Sequence, residues 1–388
     1  MTSPTRRNAT LSAAQVRAIA VRAAGVPHSL NNVADVLYRL GSVQLDAISV
    51  LARAHQLTIA SRLRRVTTAD VDAQLWHTGS AVAFDYPAHA AAVVAVEDWP
   101  LWAFRRRASR LREEYPDPRT RRALLRRVDE EGALSLRSLR DGDATGRGGW
   151  DWSPTKRAVE FLVWSGELAC VTRDQGHHRL FDLADRVIPR VHFTDDLSDD
   201  DCLIRLLERA GHALGVADSN DLADYLRIRG ATARALLPDT GLTPVTVEGW
   251  AGPAWTNDAA LEYADQEIDD AALLGPFDNL IWYRRRVARI FNFEHVFEAY
   301  KPIRLRRYGY YVCPIRVGAE FVGRADLAFH DGTLTVLKAS INELTDRNLA
   351  GLSHAIATLA ETLRATTVHL PADAADKHTA AAVRRVMA

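Results

Sequence analysis

Ser153-Pro154-Thr155-Lys156-Arg157-Ala158-Val159-Glu160-Phe161-Leu162-Val163-Trp164-Ser165-Gly166 is the stretch whose reading decides the fold. Ser153 offers an N-cap oxygen, and Pro154 suits the first helical position, where its missing N–H would find no partner anyway. Gly166 is a natural stop. Glu167–Arg173 and His178–Leu183 follow as strands around Asp174-Gln175-Gly176, a hairpin turn. Upstream, Arg119–Glu131 predicts a helix and Leu134–Leu139 a short element. Helix, helix and β-hairpin is the order of a winged helix-turn-helix. The helix from Pro154 is then the recognition helix. Its first turn carries Lys156 and Arg157 beside backbone donors suited to phosphate, and His177-His178 falls near the wing tip. The plainer alternative leaves Lys156 facing solvent and makes Trp150 and Trp152 core or loop anchors rather than base-stacking platforms.

Outward from this unit, the chain reads as α+β. Leu11–Ala24 and Asn32–Leu40 predict helices stopped at Gly25 and Gly41. A strand and a polar, basic stretch from Arg53 to Arg65 follow, a winged-helix-like opening. Trp99–Arg112 predicts an arginine-rich helix, and Pro116-Asp-Pro118 breaks the chain. The acidic run Asp195–Asp201 leads into helices and a strand at Thr243–Glu248, a third winged-helix-like unit. Tyr308–Val317, Phe321–Phe329 and Leu334–Lys338 predict a three-stranded meander turning at Gly318 and Asp331-Gly332, with helices over Asn342–Leu363 and His378–Val386. This gives tandem winged helix-turn-helix motifs with a C-terminal antiparallel β-rich unit, divided at 1–115, 116–190, 191–260 and 261–388. The runs Arg105-Arg-Arg107 and Arg284-Arg-Arg286 are expected on solvated helix faces.

Chemistry points to Val43-Gln44-Leu45-Asp46-Ala47-Ile48. On a strand, alternate residues share a face, so Gln44 and Asp46 project together while Val43, Leu45 and Ala47 turn away. A carboxylate beside an amide can stabilise a developing cation and hold a water, which suits a hydrolase. Ordinary edge-strand hydrogen bonding is the alternative. Arg53, His55 and Arg62 follow closely and are candidate phosphate or substrate contacts; a lone histidine is more commonly buried and hydrogen-bonded. Arg304, Arg306 and Arg307 precede Tyr308-Gly-Tyr-Tyr311, a basic patch interleaved with aromatics of the kind that tracks a nucleic-acid backbone.

Composition narrows the classes. Lys+Arg and Asp+Glu both number 49, so overall charge argues for no particular partner, although a neutral total can hide a basic cleft. The three cysteines, Cys170, Cys202 and Cys313, are far apart and form neither a disulfide framework nor a metal-ligand spacing, which favours a reducing cytoplasm. The 13 histidines include no His-Glu-x-x-His pattern. The glycines at 142–149 lead into tryptophans rather than a phosphate-loop lysine. No nucleotide or metal cofactor is expected. No apolar run is long enough to span a bilayer, and the opening residues lack a signal-peptide core. Nothing indicates an oligomer.

Gly41–His55, Trp150–Lys156, Leu274-Gly-Pro-Phe-Asp-Asn-Leu-Ile-Trp282 and Tyr308-Gly-Tyr-Tyr311 through Val322-Gly-Arg-Ala-Asp326 occur in that order. Together they resemble the YcaQ/AlkZ family of bacterial DNA glycosylases over nearly the whole chain. The resemblance implies tandem winged helices around a concave, basic DNA-binding cleft. It implies excision of bulky alkylated purines, chiefly guanine alkylated at ring nitrogen 7, from duplex DNA. Some members unhook interstrand cross-links, and some protect producers of alkylating antibiotics. The family's Gln-aliphatic-Gln or Gln-aliphatic-Asp motif is matched by Gln44-Leu45-Asp46, as in the YcaQ branch. The resemblance makes Gln44 and Asp46 catalytic; with no sign of an oligomer and with its cysteine usage, the protein is expected to be a cytoplasmic, nucleoid-associated monomer. A non-catalytic winged-helix DNA-binding regulator is the competing reading.

Overall fold

The computed structural model describes residues 10–26, 29–76, 81–140, 152–174 and 176–386. The glycine-rich stretch 142–149, Trp150 and the turn residue Gln175 lie outside the described residues. Contacts divide the chain into two units, Met1–Val71 with Leu207–Ala388, and Asp72–Leu206. Residues 72–115 therefore group with the second unit, the chain passing between units within the helix Thr68–Leu75.

In the first unit, Ser12 caps the helix Ala13–Ala23 in a reciprocal capping box with Gln15, and Asn32 caps Val33–Leu40, which stops at Gly41. Four short strands form one sheet in the order Thr10–Leu11, Thr243–Val247, Ala254–Thr256, Val216–Ala217. A second sheet carries the C-terminal meander, Val312–Val317, Glu320–His330 and Thr333–Ile341. It is wider than the three strands legible in the sequence: Ala271–Leu273 pairs antiparallel on one edge and Thr367–His369 parallel on the other. The helix Asp346–Leu363 lies over this sheet and buries Leu352, Ala355, Ile356, Leu359 and Leu363 in its core.

The polar and basic stretch 53–65 contains a helix, Ala54–Ala60, whose every residue is buried, and ends in the exposed Arg64 and Arg65. Helical spacing is masked there by the polar residues His55, Gln56 and Thr58, all turned inward.

In the second unit, Ser153 accepts the backbone N–H of Lys156 at 3.3 Å, and the helix runs Pro154–Trp164. The antiparallel strands Leu168–Arg173 and Arg179–Leu183 follow, with Leu134–Ser135 paired to the latter and Pro118–Glu131 packed nearby. The hairpin Ala83–Pro87 with Ala91–Ala95 escaped the sequence reading, because its alanines carry little of the β-branched signature of a strand. Two arginines expected on solvated faces are interior. Arg106 donates to the Trp99 carbonyl at 2.5 Å and stacks over its ring. In the first unit, Arg286 donates to the carbonyls of Leu214 and Val216 at 2.8 Å, beside Asp221. Each guanidinium, five N–H donors and no acceptor, places donors on backbone carbonyls.

Gly351 explains how closely the long helix sits on the sheet. A Cβ there would meet Val317 Cγ2 at 2.4 Å and Ala271 Cβ at 3.3 Å. Gly351→Val is expected to destabilise the protein by roughly 1–3 kcal/mol through overpacking, measurable as a lowered urea midpoint. An unchanged midpoint would mean that the helix can lift without cost.

Candidate active site

The motif strand is shorter than alternation predicts. It spans Ser42–Gln44, with Val43 fully buried, and ends there. Asp46 is therefore not a strand residue. Its Oδ1 accepts the backbone N–H of Ile48 at 2.9 Å, an Asx turn of the kind by which aspartate competes with ladder pairing. The turn still brings the two groups together: Gln44 Nε2 faces Asp46 Oδ2 at 3.4 Å. Both side chains are half-buried, neither sealed in the core nor fully in water.

Residues whose part was not assigned from the sequence hold this motif. Asn279 Nδ2 donates to the Ser42 carbonyl at 2.8 Å and to the Tyr225 hydroxyl at 2.7 Å, and that hydroxyl donates to the Leu40 carbonyl at 2.7 Å. The adjoining Asp278 grips Arg62 through both oxygens, at 2.6 and 2.9 Å. The signal was an Asp-Asn pair inside the apolar run Leu274–Trp282, since a polar pair there must be partnered to be buried. Beyond the motif, Ile48 and Val50 pack on the five-stranded sheet's core, and the Val50 carbonyl accepts the N–H of Phe329 at 3.1 Å.

The candidate DNA contacts separate into distinct classes. Arg62 is a correction. It is 0% exposed, and its guanidinium is committed to Asp278, to the Thr58 carbonyl and to the Ala24 carbonyl, the last two at 2.7 Å. It cannot reach a phosphate without breaking the interior. His55 is likewise buried, within the helix Ala54–Ala60, and lacks the exposure a phosphate contact needs. Arg53 is half-buried at that helix's N-cap, its N–H donating to Gln56 Oε1 at 2.9 Å. Lys156 and Arg157 stand in the second unit; Lys156 Nζ lies 4.8 Å from the centre of the Trp152 ring, and Arg157 is exposed. Arg304 and Arg307 are exposed and Arg306 half-buried; Arg306 and Arg307 each lie 4.8 Å from the ring centres of Tyr310 and Tyr308 respectively.

This last group forms a strap held from beneath by two buried carboxylates. Glu298 accepts the N–H groups of Arg307, Tyr308 and Gly309 and an ammonium hydrogen of Lys301. Asp326 accepts those of Tyr310 and Tyr311, at 3.1 and 2.8 Å. Five consecutive backbone donors thus end on two side chains. Gly309 is required: its φ is +148°, and a Cβ would lie 2.1 Å from Asp326 Oδ2. Burial opposes charge on Glu298, but the donors from Tyr308, Arg307, Lys301 and Gly309 outweigh it and hold the carboxyl down to about 2. Among the described residues, no group of three or more histidine, cysteine or acidic side chains is disposed to hold a metal, and the three cysteines are free and buried.

The family model of AlkZ-like DNA glycosylases matches residues 37–362, which include the motif, its Asp278–Asn279 support and the strap. The chain belongs to the AlkZ-like DNA glycosylase family. Its fold is similar to that of Streptomyces sahachiroi DNA glycosylase AlkZ, with a TM-score of 0.65 and 17% sequence identity over 94% of this chain and 100% of that one. Membership fixes the class of enzyme, a DNA glycosylase and hence a hydrolase, and DNA as its substrate. No described helix is long and apolar enough to cross a membrane.

Two outcomes follow for the supports. Asp278→Ala strands the Arg62 charge in the interior and is expected to cost roughly 3–5 kcal/mol in denaturant unfolding; a loss below about 1 kcal/mol would show that water reaches Arg62. Glu298, whose carboxyl falls from an ordinary 4.5 to about 2, contributes stability above 4.5 that is lost as pH falls through about 2. The stability gap between wild type and Glu298→Gln should therefore be largest near neutrality, shrink below about pH 4.5 and close near pH 2. A pH-independent gap would contradict the clamp.

Proposed function

We propose that the protein is a monofunctional DNA glycosylase that hydrolyses the N-glycosidic bond of bulky alkylated purines in duplex DNA, with guanine alkylated at ring nitrogen 7 as the characteristic lesion. The observation that carries this reading is the half-buried Gln44–Asp46 pair, joined at 3.4 Å within a chain of the glycosylase family. Guanine alkylated at nitrogen 7 is already cationic and leaves without a strong general acid. The remaining need is to stabilise an oxocarbenium-like sugar and to deliver water. Asp46 supplies the negative charge and accepts a proton from the water, and Gln44 positions it. The motif contains no lysine, so the reaction proceeds without a Schiff base.

On this reading the chain falls in the YcaQ branch, with Gln-Leu-Asp at the motif. The helices and hairpin at 118–183 and the elements at 199–256 serve as winged helices lining a concave DNA cleft. Arg304, Arg306 and Arg307, with Arg53 and, from the second unit, Lys156 and Arg157, contact the backbone. Arg62 and His55 do not belong to this set. The lesion stays largely within the duplex. A bulky adduct or cross-link processed without full extrusion allows unhooking and a role in resistance to alkylating natural products. The protein acts as a nucleoid-associated monomer. The competing regulator reading gains nothing from a carboxylate presented to polyanionic DNA.

The test is base release from duplexes carrying defined nitrogen-7 adducts and cross-links, followed by alkali to reveal abasic sites. Asp46→Asn is expected to lower single-turnover rates by at least roughly 100-fold, and Gln44→Ala by roughly 10-fold or more, with DNA retention little changed. Full activity in both variants removes the assignment; binding without strand breaks by the wild type favours the regulator.

A further inference from the structure

The strap clamped by Glu298 and Asp326 turns apolar side chains to solvent. Of the ten large apolar side chains exposed among the described residues, four lie within 300–310: Tyr300 and Ile303, each 79% exposed, Leu305 at 60%, and Tyr310. Apolar residues scattered singly over a surface need no explanation, but a contiguous group rimmed by charge marks a contact surface. The rim here is basic. Lys301, Arg304 and Arg307 are exposed, and no acidic residue occurs between Glu298 and Glu320. The turn is also shaped in advance. Pro302 leads into a 3-10 turn over Ile303–Leu305, closed by the Leu305 N–H donating to the Pro302 carbonyl at 2.9 Å. Arg306 Nε donates to the Lys301 carbonyl at 2.9 Å across its base.

Two sets of contacts tie the strap to the Gln44–Asp46 motif. Phe277, the neighbour of Asp278, packs edge-on to Phe297 at 5.0 Å between ring centres, and Phe297 likewise to Tyr300 at 5.8 Å. The Asp278–Asn279 turn that holds Ser42 thus also buttresses the start of the strap. At its other end, Asp326 fixes Tyr310 and Tyr311, while the N–H of Phe329 on the same strand holds the Val50 carbonyl, four residues beyond Asp46. Three residues of strand separate these anchors, about 10 Å, or about three base pairs of duplex.

We propose that the strap is a wedge that enters the minor groove beside the damaged base, Ile303 and Leu305 parting a base step while Lys301, Arg304 and Arg307 hold the flanking phosphates. The choice of groove follows from the lesion. Ring nitrogen 7 of guanine lies in the major groove, so a bulky adduct there obstructs that side and leaves the glycosidic bond to be approached from the other. Apolar side chains set among cations are the means by which minor-groove proteins unstack and kink a duplex. A kink of this kind bares the sugar without extruding the base. The inference rests on the glycosylase reading of Gln44 and Asp46, and adds to it how a lesion kept in the duplex is reached.

The experiment uses the full chain and a duplex in which nitrogen-7-methylguanine carries a 2′-fluorinated sugar, so that the base is retained, next to 2-aminopurine, which brightens when unstacked. Saturating wild type is expected to raise the fluorescence at least roughly 2-fold, and the double variant Ile303→Ser/Leu305→Ser to lose most of that rise. Its Tm should stay level, since both side chains already stand in water. Base release from the unfluorinated duplex should slow roughly 10-fold in single turnover. Arg304→Gln/Arg307→Gln should instead weaken binding and flatten its salt dependence, with the saturated fluorescence as in wild type. Wild-type fluorescence in the Ile303→Ser/Leu305→Ser protein overturns the proposal, as does a wild type that leaves the duplex stacked. A wild-type dimer in sedimentation that the same variant converts to monomer assigns the apolar group to a second copy and also overturns it. A wild type that unstacks the duplex yet releases no base from any adduct overturns the glycosylase reading and leaves the wedge standing.

Discussion

The ion pair between Arg62 and Asp278 is the constraint on which the site depends. Both side chains are 0% exposed, so neither charge keeps its hydration. Burying such charges is costly, and the pair is sustainable only because almost every polar atom is used: two bonds to Asp278 and further ones to the Ala24 and Thr58 carbonyls. The net gain in stability from such a pair is small. Its geometric effect is large, since it fixes residues 24, 58, 62 and 278 to one point. Asn279, the next residue, then reaches the Ser42 carbonyl at 2.8 Å. The motif strand is thus held through its backbone at Ser42, while the side chains of Gln44 and Asp46 face each other.

How much of this was legible from the chain differs between levels. Elements with capping and stop residues read clearly: Ser153 accepts the expected backbone N–H, Gly41 ends its helix, and the helices read from Leu11 and Asn32 are capped by Ser12 and Asn32. The alanine-rich hairpin at 83–95 and the helix 54–60 did not, because their side chains carry no periodic contrast between apolar and polar faces. At the site, the pairing of Gln44 with Asp46 was legible and its cause was not. Alternation along a strand predicts the pairing, whereas an Asx turn produces it. Arg62 looked like a surface cation because nothing local in the chain reveals a partner 216 residues away. Long-range polar pairing is what a single sequence withholds.

The equal count of 49 basic and 49 acidic residues is also explained by where the charges go. Glu298, Asp326 and Asp278 are turned inward, where backbone N–H groups, the Lys301 ammonium or a guanidinium stabilise them, so they do not stand on the surface. The strap above two of them exposes Lys301, Arg304 and Arg307. Formal charge cancels over the whole chain while it remains unbalanced on this segment, which is the condition for a neutral protein to engage a polyanion. The carboxylates do two things at once: they remove like charge from the surface and fix five successive peptide units beneath the arginines.

The same economy governs Asp46. A carboxylate facing DNA is repelled by phosphates, so it is tolerable only if its position is fixed and its use specific to a cationic reaction centre. The Asx turn meets the first condition by committing Oδ1 to the Ile48 N–H. Oδ2, which faces the Gln44 amide, is then the oxygen available to a water or a developing sugar cation. A strand-borne aspartate would have presented both oxygens on a side chain with two free torsions. Tying one oxygen to the backbone two residues ahead removes much of that freedom before substrate arrives, so less ordering remains for the reaction itself to impose.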